Sequence, residues 1–304
     1  MRIENPRLYD ALCDLQVDYR PRQCLADWTS LGVGGTTDLL IVENPARLPE
    51  LISLLRQEGI PWRLLGGGTN LLVAEGELPG VVLQLSSREA GVEFHAQCVR
   101  VAAAANLGRM MMECARQNLG GLEGLAGVPG TIGGALRMNA GAYGAQIGQF
   151  VRLVRVFRCT TNRIETLDGS QISFAYRQSS FAPDDILLAA ELQLLERPYE
   201  EILASIKMCN ERRRATQPVH EKTAGCIFKN PPDYSAGKLI DELRLKGHRV
   251  GGAVVSERHA NFFVNRYAAT ADDFFRLIEL VRERVRQAFG VVLEEEIIVW
   301  KHRL

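Results

Sequence analysis

Apolar side chains recur at helical spacing in three stretches of the chain. Leu48, Leu51, Ile52 and Leu55 share one face of residues 47–58, with Pro49 in a first turn that does not need its N–H and Gly59 as a stop. Leu107, Met110, Met111 and Cys114 share a face behind Asn106, a residue suited to cap a helix. Beyond Thr270, the positions Phe274, Leu277, Ile278, Val281, Val285, Ala288 and Phe289 keep the spacing until Gly290 closes the helix. Shorter apolar runs between these helices predict strands at 62–65, 71–73, 81–85, 99–103, 151–158, 163–167, 186–195 and 291–300, with Asp168-Gly169 as a hairpin-type turn. The grouping predicts three units: a small α/β unit over 1–85, an α+β unit over 86–197, and a third, rich in charged helices, over 198–304. The strand near 291–304 is a candidate to return to the first unit.

Two glycine-rich stretches interrupt this pattern, each following a strand. One is Gly66-Gly67-Gly68-Thr69-Asn70; the other runs from Gly120 to Gly144 and adds Thr131 and Asn139 among small alanines. Residues without a β-carbon are costly to order, and a chain that keeps so many lets bare backbone amides approach a ligand, best an anionic one such as a diphosphate. Tight turns alone explain one such loop. Two loops of the same make favour the ligand. No G-x-x-x-x-G-K-[ST] is present, and Gly32-Val33-Gly34 lacks the third glycine and following helix of a dinucleotide-binding βαβ unit, so another architecture is implied.

Size and charge narrow the function. A chain of 304 residues is long enough for an enzyme of two or three domains, and 36 basic against 36 acidic side chains give no footprint for nucleic acid or an anionic membrane. The charged start of the sequence lacks a signal peptide's apolar core, and no stretch approaches the roughly 20 apolar residues of a membrane span, so a cytoplasmic protein is expected. Seven cysteines without a C-x-x-C pair fit reduced thiols rather than a disulfide frame or metal site, with Cys13, Cys24, Cys98, Cys114, Cys159 and Cys209 read as buried small residues.

Six motifs in order then resemble one family: Gly66-Gly67-Gly68-Thr69-Asn70-Leu71-Leu72; Gly127-Val128-Pro129-Gly130-Thr131-Ile132-Gly133-Gly134; Met138-Asn139-Ala140-Gly141; Tyr176-Arg177-Gln178-Ser179; Gly225-Cys226 through Lys229-Asn230-Pro231; and His259-Ala260-Asn261. Together, from about Thr29 to Glu296, they are similar to the UDP-N-acetylenolpyruvoylglucosamine reductases of peptidoglycan precursor synthesis. The resemblance implies an α+β protein: a two-subdomain FAD-binding fold of the vanillyl-alcohol-oxidase type, plus a C-terminal α+β substrate-binding domain. It also implies FAD as cofactor, NADPH as co-substrate, UDP-N-acetylglucosamine enolpyruvate as substrate, and no obligate protein partner. The first loop has no His to tether flavin, so the FAD is expected to be non-covalent. No extra tyrosine-bearing loop separates Arg177 from the third unit, which matches the family's shorter subtype.

The same resemblance distributes roles. Gly66, Gly67, Gly68, Thr69, Asn70 and Leu71, with Gly127, Val128, Pro129, Gly130, Thr131, Gly133, Gly134, Asn139 and Gly141, would line the cofactor. Arg177 would stabilise the substrate carboxylate, for which its planar fork is suited. Glu296 would assist as a protonated acid, with Glu294 and Glu295 as competing choices. Cys226 stands where familiar members have a serine proton donor; an ordinary thiol, with a pKa of about 8.5, is mostly protonated at neutral pH and can serve. Tyr176, Arg213, Lys229 and Asn230 would contact substrate, with the run Arg212-Arg213-Arg214 read equally well as a solvated helix face. His259 matches the family without an assigned role. The competing readings are a flavin oxidase acting on a sugar or hydroxy acid, and a flavin- or nucleotide-binding protein without catalysis.

Overall fold

The computed structural model describes residues 6–88 and 91–302 and contains seven α-helices among them. They are α1 (Pro6–Asp14), α2 (Leu48–Gln57), α3 (Leu107–Arg116), α4 (Ile132–Arg137), α5 (Tyr199–Thr216), α6 (Ala236–Glu242) and α7 (Ala271–Phe289). Local chemistry sets their ends. The Asn106 side chain accepts from Arg109 N at 2.9 Å to start α3, and Thr270 and Asp273 form a reciprocal capping box at α7. At the far end of α7, Gly290 takes the left-handed conformation (φ 68°) that a residue with a β-carbon adopts only at a cost. Leu48, Leu51, Ile52 and Leu55 of α2 are all fully buried, as their spacing requires.

Contacts divide the chain into two units rather than three consecutive ones. The first comprises residues 1–21, 38–67 and 80–211; the second comprises 22–37, 68–79 and 212–304. The division is discontinuous because sheet pairing joins segments far apart in sequence.

In the first unit, Leu8 and Leu12 of α1 and Leu51 and Leu55 of α2 share a buried cluster with Val81, Leu83, Phe157, Ile186 and Leu188. Trp62–Leu64 runs parallel to the strand Glu77–Leu85, pairing at residues 81–83. A five-stranded antiparallel sheet follows the order Arg163–Asp168, Val151–Arg158, Ile186–Gln193, Cys98–Ala102, Val92–His95. Its apolar face packs with α3, α4 and the start of α5 in a second core that includes Val99, Met110, Leu136, Val154 and Ile202. The turn inside this sheet lies at residues 159–162, since Arg158 pairs with Arg163. Asp168, expected to make a hairpin with Gly169, instead caps a short 3-10 helix, Gly169–Gln171, its side chain accepting from Ser170 N.

In the second unit, a four-stranded sheet takes the order Thr223–Cys226, Phe262–Asn265, Ala253–Val255, Arg249–Val250. With α6 and α7 it forms a core around Phe228, Ile240, Phe263, Phe274 and Leu277. The strand expected over 291–300 shortens to Ile298–Trp300, which pairs in parallel with Leu71–Val73. Leu71–Val73, read in sequence as part of the first unit, belongs here.

Candidate functional site

The two glycine loops meet in the first unit. A β-carbon on Gly67 would lie 2.9 Å from Gly130 Cα, and one on Gly66 would lie 3.1 Å from Thr131 Oγ1, so the backbones touch where side chains would part them. Among the described residues none accepts from the N–H of Gly66, Gly67, Gly130 or Thr131. Unpaired amides gathered from two apposed loops are the donor set an anionic diphosphate requires.

Other members of the second loop act differently from expectation. Ile132 N and Gly133 N donate to Ala105 O and Ala103 O, and Gly134 N donates to Thr131 Oγ1. The first amides of α4 are thus engaged inside the protein, and Gly133 is where α4 packs against Ala103, 3.1 Å from a β-carbon placed there. Val128 N closes a turn on Leu125 O, with Pro129 following it. Gly133 and Gly134 shape the loop and have no amide left for a cofactor.

Arg177 occupies the second position of a two-residue turn between Phe174–Ala175 and Gln178–Ser179, with a left-handed backbone (φ 55°). Its Nη1 donates to Gly141 O at 2.9 Å and its guanidinium lies 5.4 Å from the centroid of the exposed Tyr176 ring. Gly141 therefore holds the arginine, by its carbonyl. Asn139 holds the turn: it is 2 % exposed, donates from Nδ2 to Ala175 O and Gln146 Oε1 at 2.9 Å each, and accepts from Gly148 N at 3.1 Å. Ser179 Oγ adds a bond to Arg137 O at 2.7 Å. Asn139, expected on the cofactor, is a buried brace under Arg177, and its positive φ of 41° is one that Asn tolerates better than most. Asn139→Ala is expected to cost about 2–4 kcal/mol, because Ala175 O and Gly148 N lose their partners. Chemical denaturation against the parent protein measures it; a loss below about 0.5 kcal/mol, the size of an ordinary surface change, would contradict the brace.

The second unit holds Cys226 and Glu296. Thr223 pairs with Val264 and Cys226 with Phe262, so the strand carries one extra residue, and Gly225 takes φ 83° within this bulge. A bulge turns the strand and re-aims the side chain that follows it, here the half-buried Cys226 thiol. On its other side the segment pairs with residues 294–296: Phe228 bridges Glu295, Lys229 N donates to Glu294 O at 2.9 Å, and Glu296 N donates to Ile227 O at 2.7 Å. Cys226 and Glu296 therefore belong to adjacent segments in fixed register.

The competing acids are committed elsewhere. Glu295 pairs with Arg282, and Glu294, well exposed, pairs with Lys229 Nζ at 3.5 Å. Asn70 is engaged at this seam, where Nδ2 donates to Glu296 O at 3.1 Å and its carbonyl accepts from Ile298 N. Leu71 is buried in the strand beside it. Gly68, with φ 62°, passes so close to the backbone that a β-carbon would fall 2.0 Å from Trp28 O; Thr69 follows it in the turn. Asn230 Oδ1 accepts from Ala236 N at the start of α6. Arg213 is the half-buried member of its run and bonds Gln217, while Arg212 and Arg214 are exposed.

The His259-Ala260-Asn261 motif lies against the same segment. Asn261 N donates to His259 Nδ1 at 3.3 Å, and the imidazole meets the Phe262 ring edge-on at 4.9 Å. Burial, and to a lesser degree Lys246, hold the imidazole below the usual histidine pKa. Between that lowered value and the unfolded value near 6.5, the unfolded chain binds the extra proton, so stability falls as pH drops through this window. Melting temperatures are expected to decline from about pH 7 to about pH 5 by less in His259→Asn than in the parent. An equal decline would remove His259 as a contributor. Among the other thiols, Cys13 and Cys24 are exposed rather than buried, whereas burial pushes Cys114 and Cys159 up to about 12.

Comparison with known proteins assigns the ancestry of both parts. Residues 217–300 match the C-terminal domain model of UDP-N-acetylenolpyruvoylglucosamine reductase, and residues 38–166 match an FAD-binding domain. The reductase of Caldanaerobacter subterraneus is 42% identical over 271 residues, 88% of this chain and 89% of its own. Reductase 2 of Symbiobacterium thermophilum is 39% identical over 277 residues, 90% and 89% of the two chains. The chain belongs to the UDP-N-acetylenolpyruvoylglucosamine reductase family. The crystal structure of the Thermus caldophilus reductase superposes with a TM-score of 0.79 at 37% identity, covering 94% of this chain and 99% of that one. The match to the FAD-binding domain, over residues 38–166, covers the part of the chain that holds both the Gly66-Gly67 and Gly130-Thr131 amides.

Proposed function

We propose that the protein reduces the enolpyruvyl ether of UDP-N-acetylglucosamine enolpyruvate to UDP-N-acetylmuramate, with NADPH as reductant. Family membership over nearly the whole chain supports the substrate class. The observation that carries the chemistry is the glycine bulge that presents Cys226 on a segment paired to that of Glu296.

FAD, when bound, would supply the hydride chemistry that links NADPH to the substrate carbon. The amides of Gly66, Gly67, Gly130 and Thr131 would hold its diphosphate, and with no His in the first loop to tether it the cofactor would be held without a covalent link. Arg177, fixed by Gly141 and flanked by Tyr176, grips the substrate carboxylate, where negative charge grows as the double bond is reduced. The Cys226 thiol delivers the proton to the adjacent carbon, and Glu296 supports the charge as a protonated acid. Lys229 and Arg213 supply cations to the uridine diphosphate, with Asn230 shaping the loop beside Lys229. No helix among the described residues is long and apolar enough to cross a membrane; the reading carries a cytoplasmic location, where a UDP-linked precursor and NADPH are both at hand.

An anaerobic visible spectrum tests the whole. Flavin bands that bleach with NADPH and return only with the enolpyruvyl sugar are expected. Bands that return with oxygen and ignore the sugar would transfer the protein to the oxidases, and a colourless protein that cannot be reconstituted with FAD would end the flavoenzyme reading.

A further inference from the structure

The His259-Ala260-Asn261 motif contains a side chain that the proposed chemistry does not use and that the structure engages completely. Asn261 is 2 % exposed. Its Nδ2 donates to Phe228 O at 2.7 Å, its Oδ1 accepts from Phe228 N at 3.0 Å, and its own carbonyl accepts from Ile227 N at 2.8 Å. A carboxamide that pairs with both backbone groups of one residue imitates a neighbouring β-strand, and it does so two residues beyond Cys226, where the bulge has used up regular pairing. The opposite edge of the same segment pairs with residues 294–296. Asn261 therefore closes one side of an arrangement in which the thiol segment is the middle.

We infer that Asn261 is a positioning residue for Cys226: its buried carboxamide fixes the bulged segment that presents the thiol. The inference deepens the function proposed above and rests on it only for the kinetic part of its test. A simple packing residue needs no amide. Asn is the side chain that supplies one donor and one acceptor at this reach, and both are used at good distance. A misplacement of a proton donor by a fraction of an ångström is costly in rate even where the fold survives.

Asn261→Asp and Asn261→Ser separate positioning from structure. A protonated Asp keeps one donor and one acceptor, whereas an ionised Asp sets a carboxylate oxygen against Phe228 O. Burial favours the neutral acid, so this variant works at low pH and fails as pH rises through a new ionisation that the parent lacks. The titratable and charged neighbours are His259, which burial favours in its neutral form, Glu295 opposite Phe228, and Arg282, whose guanidinium lies 5.9 Å from the Phe228 ring. Ser keeps a single bond and no such pH dependence.

Two readouts are used. The first needs no turnover: iodoacetamide labelling of Cys226, mapped by mass spectrometry and referred to the exposed Cys13 and Cys24 in the same sample. A change of about threefold or more is expected in Asn261→Ser, and in Asn261→Asp only above its ionisation. Unchanged relative labelling in both variants overturns the inference. The second is the reoxidation of reduced enzyme by the enolpyruvyl sugar, expected to slow about 10- to 100-fold with reduction by NADPH retained. In a Cys226→Ala background the same substitution is expected to cost less than about twofold, because the group it positions is gone. An equal cost in both backgrounds overturns the inference, as does loss of the native fold in both variants. If the parent enzyme does not turn over at all, the function proposed above fails, and labelling alone decides the role of Asn261.

Discussion

Cys226→Ala slows the return of flavin absorbance on addition of the enolpyruvyl sugar by about 10²-fold or more, the usual worth of a positioned general acid, while bleaching by NADPH stays nearly intact. The split is the point of the experiment. NADPH delivers hydride without needing a protein proton donor, whereas reduction of the enol ether leaves a carbon that must be protonated. Cys226→Ser is expected to keep substantial activity, since a hydroxyl on the same bulge points the same way, and to lose the parent's sensitivity to thiol reagents. Stopped-flow traces of the two half-reactions, run anaerobically, give both numbers. An equal loss in both would make Cys226 a structural residue and move the proton donor elsewhere.

Gly68→Ala is the second large effect. Its β-carbon would fall 2.0 Å from Trp28 O, a backbone atom that cannot swing aside, and the φ of 62° adds the left-handed cost. Overlap and strain together amount to about 2–5 kcal/mol. Because Gly68 O also accepts from Ser30 N, the displacement would travel along 28–30 and into the turn that leads to Asn70. The variant is expected to unfold at lower denaturant and to retain less flavin after gel filtration. A variant that keeps parental stability and stoichiometric flavin would show that the turn relaxes freely. Gly144→Ala separates the two costs, since φ there is also left-handed at 86° but a β-carbon meets nothing within 4 Å, so it reports the strain without the overlap.

The parts of the fold set by local chemistry were readable from the residues. The periodic faces of α2 and α3 are buried as their spacing demands, that of α7 is buried as far as Val285 while Ala288 and Phe289 in its last turn are exposed, and Asn106, Thr270 and Gly290 end helices as expected. What depends on distant pairing was not. Asp168-Gly169 has hairpin composition, yet the reversal falls at 159–162, where Asn162 takes the positive φ. The run 291–300 has strand composition, but Glu294 and Glu295 are drawn into ion pairs and only Ile298–Trp300 forms a ladder strand. Arg177, Cys226 and Glu296 could be named as candidates because glycines and motifs surround them. Their supports were less legible: Asn139 and Gly141 look in sequence like cofactor contacts and Asn261 has no assigned role there, and only burial and bonding reveal that the first two brace the Arg177 turn and the third bonds the backbone of Phe228. A buried Asn at a positive φ and an Asn two residues after a His are weak signals without coordinates.

The parallel pairing of Ile298–Trp300 with Leu71–Val73 bears on how the protein is made. Asn70, the Glu296 carbonyl and Ile298 are joined at that seam, so a ribosome-bound chain that has emerged only through residue 290 already has the Cys226 bulge and its Phe262 partner but not the opposite edge. Contacts of such long sequence separation form late and slowly. A chain that ends before this seam leaves the Cys226 segment uncovered along one side, and unpaired strand edges of that kind are prone to aggregate. Arresting chains that carry a linker long enough to clear the ribosomal exit tunnel, fused after residue 290 or after residue 304, and comparing protease resistance would expose this interval.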